Sequence, residues 1–136
     1  MSESLFNRSA EKRVKDILES ESNDQDALDD FGAFGVLRGA RERSQMIELR
    51  KKSGTIWAIG YAWMERVEFD PSVGITLHAA GKTVRIKGRN LNMEIRPNIR
   101  LFQCITRHRV PWIHEADNAA VMESQGKGIL IDSIEW

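Results

Sequence analysis

The chain has little cysteine and little proline, and it has no long apolar run. One of its 136 residues is Cys and three are Pro. A lone cysteine cannot form an internal disulfide or, by itself, a zinc site, so Cys104 is interpreted as a small core residue. No apolar stretch approaches the roughly 18 residues that a membrane span needs. These absences exclude a disulfide scaffold and predict a chain without a membrane span.

A secretory signal and a catalytic constellation are also missing from the sequence. Residues 1–13 carry charges where a signal peptide needs a hydrophobic centre, which predicts a cytoplasmic protein. The three histidines, Cys104, Glu115 and Asp117 do not match the spacing of a nucleophile motif or a two-histidine metal site. We therefore expect a non-enzymatic protein with no catalytic residues, no metal site and no cofactor.

The formal net charge of zero conceals a segregation of charge along the chain. Residues 1–36 hold 4 basic and 9 acidic side chains, residues 37–110 hold 15 and 6, and residues 111–136 hold 1 and 5. A basic middle with acidic ends suits an anionic partner, acidic ends that fold back onto the middle, or a second subunit. A solvated surface of mixed charge is the fourth interpretation.

The first third of the chain is predicted to contain one helix and a linker. Ser9 can cap a helix over 9–20, whose apolar residues Ala10, Val14, Ile17 and Leu18 recur at helical spacing. Residues 19–30 are acidic and nearly free of apolar side chains, which predicts a mobile linker. Residues 31–44 contain three glycines and are predicted as a loop, although Phe31, Phe34 and Leu37 can dock on a core. Residues 1–45 are thus a helix and linker ahead of a domain at 46–136.

From Met46 the apolar period changes from helical to alternating, which predicts strands. One strand begins at Met46, and a longer one over 55–70 is expected to bend, bulge or break near 60–64, where Gly60 interrupts it. A helix is predicted over 97–111, with Pro97 in its first turn, and a last strand within 126–136 carries Leu130, Ile134 and Trp136 on one face. The predicted fold is mainly β (α+β), a small, strongly bent barrel or half-barrel of about five strands.

Two strands on either side of Ala80 and Gly81 form the clearest predicted hairpin. Their apolar residues share one face only if Leu77 opposes Val84 and Ile75 opposes Ile86, around a loop of two or four residues. The other face then collects five polar side chains, which we call the polar ladder: Thr76, His78, Thr83, Arg85 and Lys87.

The hairpin carries a family resemblance. DPSVGITL, residues 70–77, is similar to the first signature of Sm-like proteins, with Asp70, Ile75 and Leu77 matching, and IKGRNL, residues 86–91, resembles the second. The resemblance covers residues 46–91 and implies a small barrel that assembles into rings and binds RNA bases through an Asn of the first signature and an Arg of the second. Gly74 stands in the Asn position and Lys87 in the Arg position, so both base-contacting groups differ here.

A second resemblance is to the pleckstrin-homology-like barrel, in which a helix plugs one end and loops bind lipid headgroups or peptides. It implies a protein- or lipid-interaction module without nucleic-acid binding. The first resemblance implies a binding and assembly module for single-stranded RNA or another anion, acting as a homo-oligomer. The candidate ligand-binding residues are positions of the two signatures and a basic strip that begins at Arg85 and Lys87 and is extended by the arginines on either side of His108. They are Asp70, Arg85, Lys87, Gly88, Arg89, Asn90, Arg107 and Arg109.

Overall fold

A computed structural model describes residues 27–39 and 41–136, and the helix predicted at 9–20 lies outside them. The strands of this part of the chain are β1 (Leu28–Asp30), β2 (Gly35–Leu37), β3 (Met46–Arg50), β4 (Ile56–Gly60), β5 (Met64–Asp70), β6 (Gly74–Ala79), β7 (Lys82–Arg89), β8 (Trp112–His114) and β9 (Leu130–Glu135). The helices are α1 (Leu101–Thr106) and α2 (Asn118–Ser124), and a 3-10 turn spans Tyr61–Trp63.

The described strands belong to three sheets, so the mainly β class is confirmed. β1 pairs with β2, a three-stranded sheet has the order β4-β3-β8, and a four-stranded sheet has the order β5-β6-β7-β9. These strands do not close into a barrel. None of the helices in the described ranges has the length and apolar character needed to cross a membrane.

The β6–β7 hairpin has the predicted register. Leu77 pairs with Val84 and Ile75 with Ile86, and all four side chains are buried. Ala79 pairs with Lys82, which leaves a two-residue loop of Ala80 and Gly81, both at positive φ. Positive φ at both central positions is the signature of a type I′ turn, whose twist matches that of the flanking strands.

The long strand predicted over 55–70 breaks in the predicted region. β4 ends at Gly60, the 3-10 turn follows, and β5 begins at Met64 in a different sheet. Tyr61 fixes the break, since its hydroxyl donates to the Val110 carbonyl oxygen at 2.6 Å and its ring stacks on His108. Burial of this phenol raises its pKa well above the usual value.

The helix predicted over 97–111 is only six residues long, because turns replace both of its ends. Pro97 and Asn98 are the central residues of a turn in which Ile99 N donates to Arg96 O, and Asn98 has the positive φ that a type II turn requires there. At the other end His108 adopts a left-handed conformation. The amides of His108 and Arg109 donate to Ile105 O and Cys104 O, which is a Schellman motif.

Two short strands, at 28–30 and 35–37, replace parts of the predicted linker and loop. Phe34 and Val36 are fully buried, and Phe34 forms a bridge with Ile113 of β8. The amide of Leu37 donates to the Arg109 carbonyl at 2.9 Å. The described part of the first segment therefore packs on the same core as residues 46–136, and the docking expected for Phe34 is present.

The last strand is interrupted by a bulge that the alternating pattern did not predict. Lys87 pairs with Ser133 and Gly88 with Ile131, so Asp132 is an extra residue on β9. The bulge reverses the parity of the strand and buries Ile131 together with Ile134. Trp136 does not join them inside, because 43% of it is exposed.

Candidate functional site

An open groove lies between the turn that joins β5 to β6 and the segment that follows β7. Its volume is about 730 Å³. Pro71, Ser72, Val73 and Gly74 line it on one side, and Lys87, Gly88, Asn90, Leu91, Asn92 and Met93 line it on the other, with Phe69, Arg85 and Asp132 completing the lining. Four of the eight candidate residues, Arg85, Lys87, Gly88 and Asn90, therefore share one groove.

The first wall is a turn built by Asp70. Its Oδ1 accepts hydrogen bonds from the Ser72 hydroxyl at 2.6 Å and from the Ser72 amide at 2.8 Å, and these bonds lower the pKa of the exposed carboxyl. Gly74 ends the turn at φ +116°, where a Cβ would lie 2.2 Å from the Ile86 carbonyl oxygen. Asp70 thus shapes the wall of the groove, and Gly74 lets that wall approach β7.

Gly88 is required for close backbone packing and not for a left-handed conformation. It is absent from the positive-φ positions of the described chain, and a Cβ there would lie 2.0 Å from the Leu130 carbonyl oxygen of β9. Only a glycine allows this close approach of two backbones beside the bulge. The left-handed residue at this end is Asn90, at φ +56°, whose Nδ2 donates to the Gly128 oxygen at 2.8 Å.

The charges of the groove are mainly basic and partly compensated. Lys87 Nζ lies 3.3 Å from a Glu135 carboxylate oxygen, and Arg89 Nε lies 3.9 Å from Asp132 Oδ2. Arg85 is exposed, and no ion pair is found for it within the described ranges. Arg85 is therefore the groove cation most available to an anion, while Lys87 can exchange Glu135 for one.

The structure places Arg107 and Arg109 outside this groove, at the end of α1. Arg107 is exposed, whereas the Arg109 guanidinium donates to the carbonyl oxygen of Leu37 at 2.6 and 3.1 Å and to that of Arg38 at 3.2 Å. This side chain holds β2 against the helix end. The basic strip expected from the sequence is thus divided between two places.

The polar ladder lies on the outer face of the four-stranded sheet, but acids from neighbouring strands share that face. Glu68 of β5 pairs with Thr76 in the strand register, forms an ion pair with Arg66, and has an oxygen 3.3 Å from His78 Nε2. Glu135 of β9 pairs with Arg85. Thr76 lies between Glu68 and Arg85 in the strand register and is only 9% exposed. The free positive charge of the ladder is therefore concentrated on β7.

A second cleft, of about 440 Å³, contains residues that sequence reasoning did not bring together. It is lined by Trp57 of β4, Lys82 and Thr83 of β7, and Trp136 after β9. The two indole rings lie 5.0 Å apart between centroids. No sequence pattern joins positions 57 and 136, because they meet only through the packing of two different sheets.

A third cavity, of about 410 Å³, lies between β8, α2 and the Phe31–Phe34 turn, and its lining includes His114, Glu115, Asp117 and Glu123. Its one buried acid, Glu115, has a structural role. Its two carboxylate oxygens accept hydrogen bonds from the backbone amides of Lys52, at 2.9 Å, and Ile134, at 2.6 Å. Among the described residues, no group of His, Cys, Asp and Glu is arranged to hold a metal ion.

Comparison with known proteins gives no relative: no protein-family model, curated protein or solved structure matches the chain.

Proposed function

We propose that the chain is a non-enzymatic binding module, and that the groove beside β7 holds the phosphate groups of an anionic ligand, with RNA the first candidate. The observation that carries the proposal is that Arg85 and Lys87 both line this groove. Lys and Arg at a groove supply the sequence-independent part of nucleic-acid binding.

The two signature-like segments support the same assignment. DPSVGITL contributes Pro71 to Gly74 to one wall, and IKGRNL contributes Lys87, Gly88, Asn90 and Leu91 to the other. The groove thus occupies the place between the two segments on which the Sm-like resemblance rests. Lys87 offers a point charge to a phosphate where the resemblance implies an Arg that can stack on a base.

The test is the salt dependence of binding to a fluorescein-labelled single-stranded RNA, measured by fluorescence anisotropy. Removal of both groove cations in the double variant Arg85→Ala/Lys87→Ala should weaken binding. It should also reduce the slope of log K against log salt by about 1.4, since each phosphate contact on a single strand contributes roughly 0.7. The loss follows from the smaller number of counterions that the RNA releases.

The matched control is Arg41→Ala/Lys127→Ala, which removes two positive charges at exposed positions outside the groove. It changes the net charge of the protein equally and should leave the slope almost unchanged. An equal loss of slope in both double variants, or no RNA binding by the wild-type protein, would refute the groove as the phosphate site.

A further inference from the structure

The cleft formed by Trp57, Trp136, Lys82 and Thr83 has the features of a site that stacks an unpaired base. We propose that this cleft binds a base of a single-stranded nucleic acid whose phosphates continue along β7 into the groove. The inference rests on the proposed function, because the same nucleic-acid strand also occupies the groove. It specifies a single-stranded nucleic acid as the ligand and adds a second site that binds one of its bases.

The cleft presents aromatic surface to solvent instead of enclosing it. Trp57 packs partly against the core, whereas Trp136 is exposed over 43% of its surface. Their rings are tilted by 49°, and both rings line the cleft together with Lys82 and Thr83. Indole faces next to basic side chains are the combination that single-strand binding proteins use.

Two lysines now lie over the indole rings. Lys51 Nζ is 4.3 Å from the centroid of Trp136, and Lys82 Nζ is 5.4 Å from the centroid of Trp57. An exposed cation–π contact contributes about 0.5–1 kcal/mol. A stacked base contributes about 1–3 kcal/mol. A base can therefore displace an ammonium from the ring, and the flexible lysine can then pair with the phosphate of the same nucleotide.

β7 connects the cleft to the groove. Thr83 lines the cleft, and Arg85 and Lys87 line the groove. The three residues are two positions apart, so their side chains lie on the same face of the strand. Successive outward residues are about 7 Å apart along a strand, so Thr83 lies roughly 7 Å from Arg85 and roughly 13 Å from Lys87. A few nucleotides of a single strand can span this distance. In a duplex, the bases stay stacked inside the helix and do not offer a free face.

The experiment compares two fluorescein-labelled decamers, one of uridines and one of abasic ribose phosphates with the same number of charges. Wild-type protein should bind the uridine decamer more tightly by roughly five- to 150-fold, the value of one stacked base. Trp136→Ala should remove this preference and leave the affinity for the abasic decamer unchanged. Trp136→Phe, which keeps a ring, should retain most of the preference.

The matched control is Trp63→Ala, because Trp63 is 68% exposed and lies outside the cleft. It should bind both decamers as the wild type does. Equal wild-type affinity for the two decamers would overturn the stacking site while leaving the phosphate groove intact. An equal loss of affinity for both decamers in Trp136→Ala would also overturn it, since the tryptophan would then act only on the fold. Failure of both decamers to bind would overturn both proposals.

Discussion

At the scale of single residues, two glycines set the geometry of the groove, because the absence of a Cβ lets the backbone approach a neighbouring carbonyl oxygen closely. Gly74 brings the β5–β6 turn against the Ile86 carbonyl, and Gly88 brings β7 against the Leu130 carbonyl. The sequence marks both positions as glycine but cannot say which atom lies opposite. For Gly88, the opposite atom belongs to Leu130, which lies 42 positions later in the chain.

Gly88→Ala should destabilise the protein by roughly 1–3 kcal/mol, because its Cβ would meet a backbone oxygen and the β7–β9 pair would have to separate. Gly60→Ala is the matched control. Gly60 has φ −69°, and a Cβ there would lie 3.0 Å from the side chain of the exposed Trp63, which can move away. Urea unfolding followed by circular dichroism should show a lower midpoint for Gly88→Ala only. Equal midpoints for the two variants would contradict the steric explanation.

At the scale of elements, local patterns predicted structure well and distant pairings were not predictable. The β6–β7 register followed from alternating residues on either side of one turn, so all the information lay within about a dozen positions. β1, β2 and β8 have three residues each, which is too short to show a period. The parallel pairing of β3 with β8 joins residues more than 60 positions apart. The helix at 97–111 was predicted too long because Pro97 suits a helix start and a type II turn equally.

The hairpin turn contains a residue that does not suit its conformation. Ala80 has φ +50°, a region in which a Cβ costs about 1–2 kcal/mol. Ala80→Asn should therefore stabilise the protein by up to about 1 kcal/mol, since Asn-Gly is the preferred pair in a type I′ turn. Ala80→Val should have the opposite sign, because a β-branched side chain is least tolerated at positive φ. Thermal unfolding checks both, and a lower melting temperature for Ala80→Asn would refute the assigned turn.

At the scale of the whole molecule, the prediction of the site from sequence depended on how its residues are distributed. Arg85, Lys87 and Gly88 lie on one strand, so a pattern within that strand brought them together. Arg107 and Arg109 lie after a helix whose end directs Arg109 to β2. The Trp57–Trp136 pair depends on the contact between two sheets, which no local pattern encodes.

The whole chain is expected to form a homo-oligomer. β4 pairs with β3 alone in the described ranges, so its other edge presents backbone donors and acceptors, and Ile56 and Trp63 are 55% and 68% exposed near it. Uncovered edges of this kind commonly pair with another chain. Light scattering should give a mass above that of one chain, and Ile56→Lys should lower it.

The control for the edge is Met122→Lys, which changes an exposed apolar side chain on α2 and should leave the mass unchanged. A mass of one chain at micromolar concentration, unaltered when salt is lowered, would refute the homo-oligomer. It would also exclude the ring that the Sm-like resemblance implies.

The carboxylate of Glu115 has a consequence for how the molecule opens. Its two oxygens hold one amide that follows β3 and one within β9, and these strands belong to different sheets. If either sheet moves away, the shared carboxylate loses half of its partners in a buried place where water does not replace them. The two sheets are therefore coupled into one cooperative unit. Slow fluctuations that expose the amide of Lys52 should be the same fluctuations that expose the amide of Ile134.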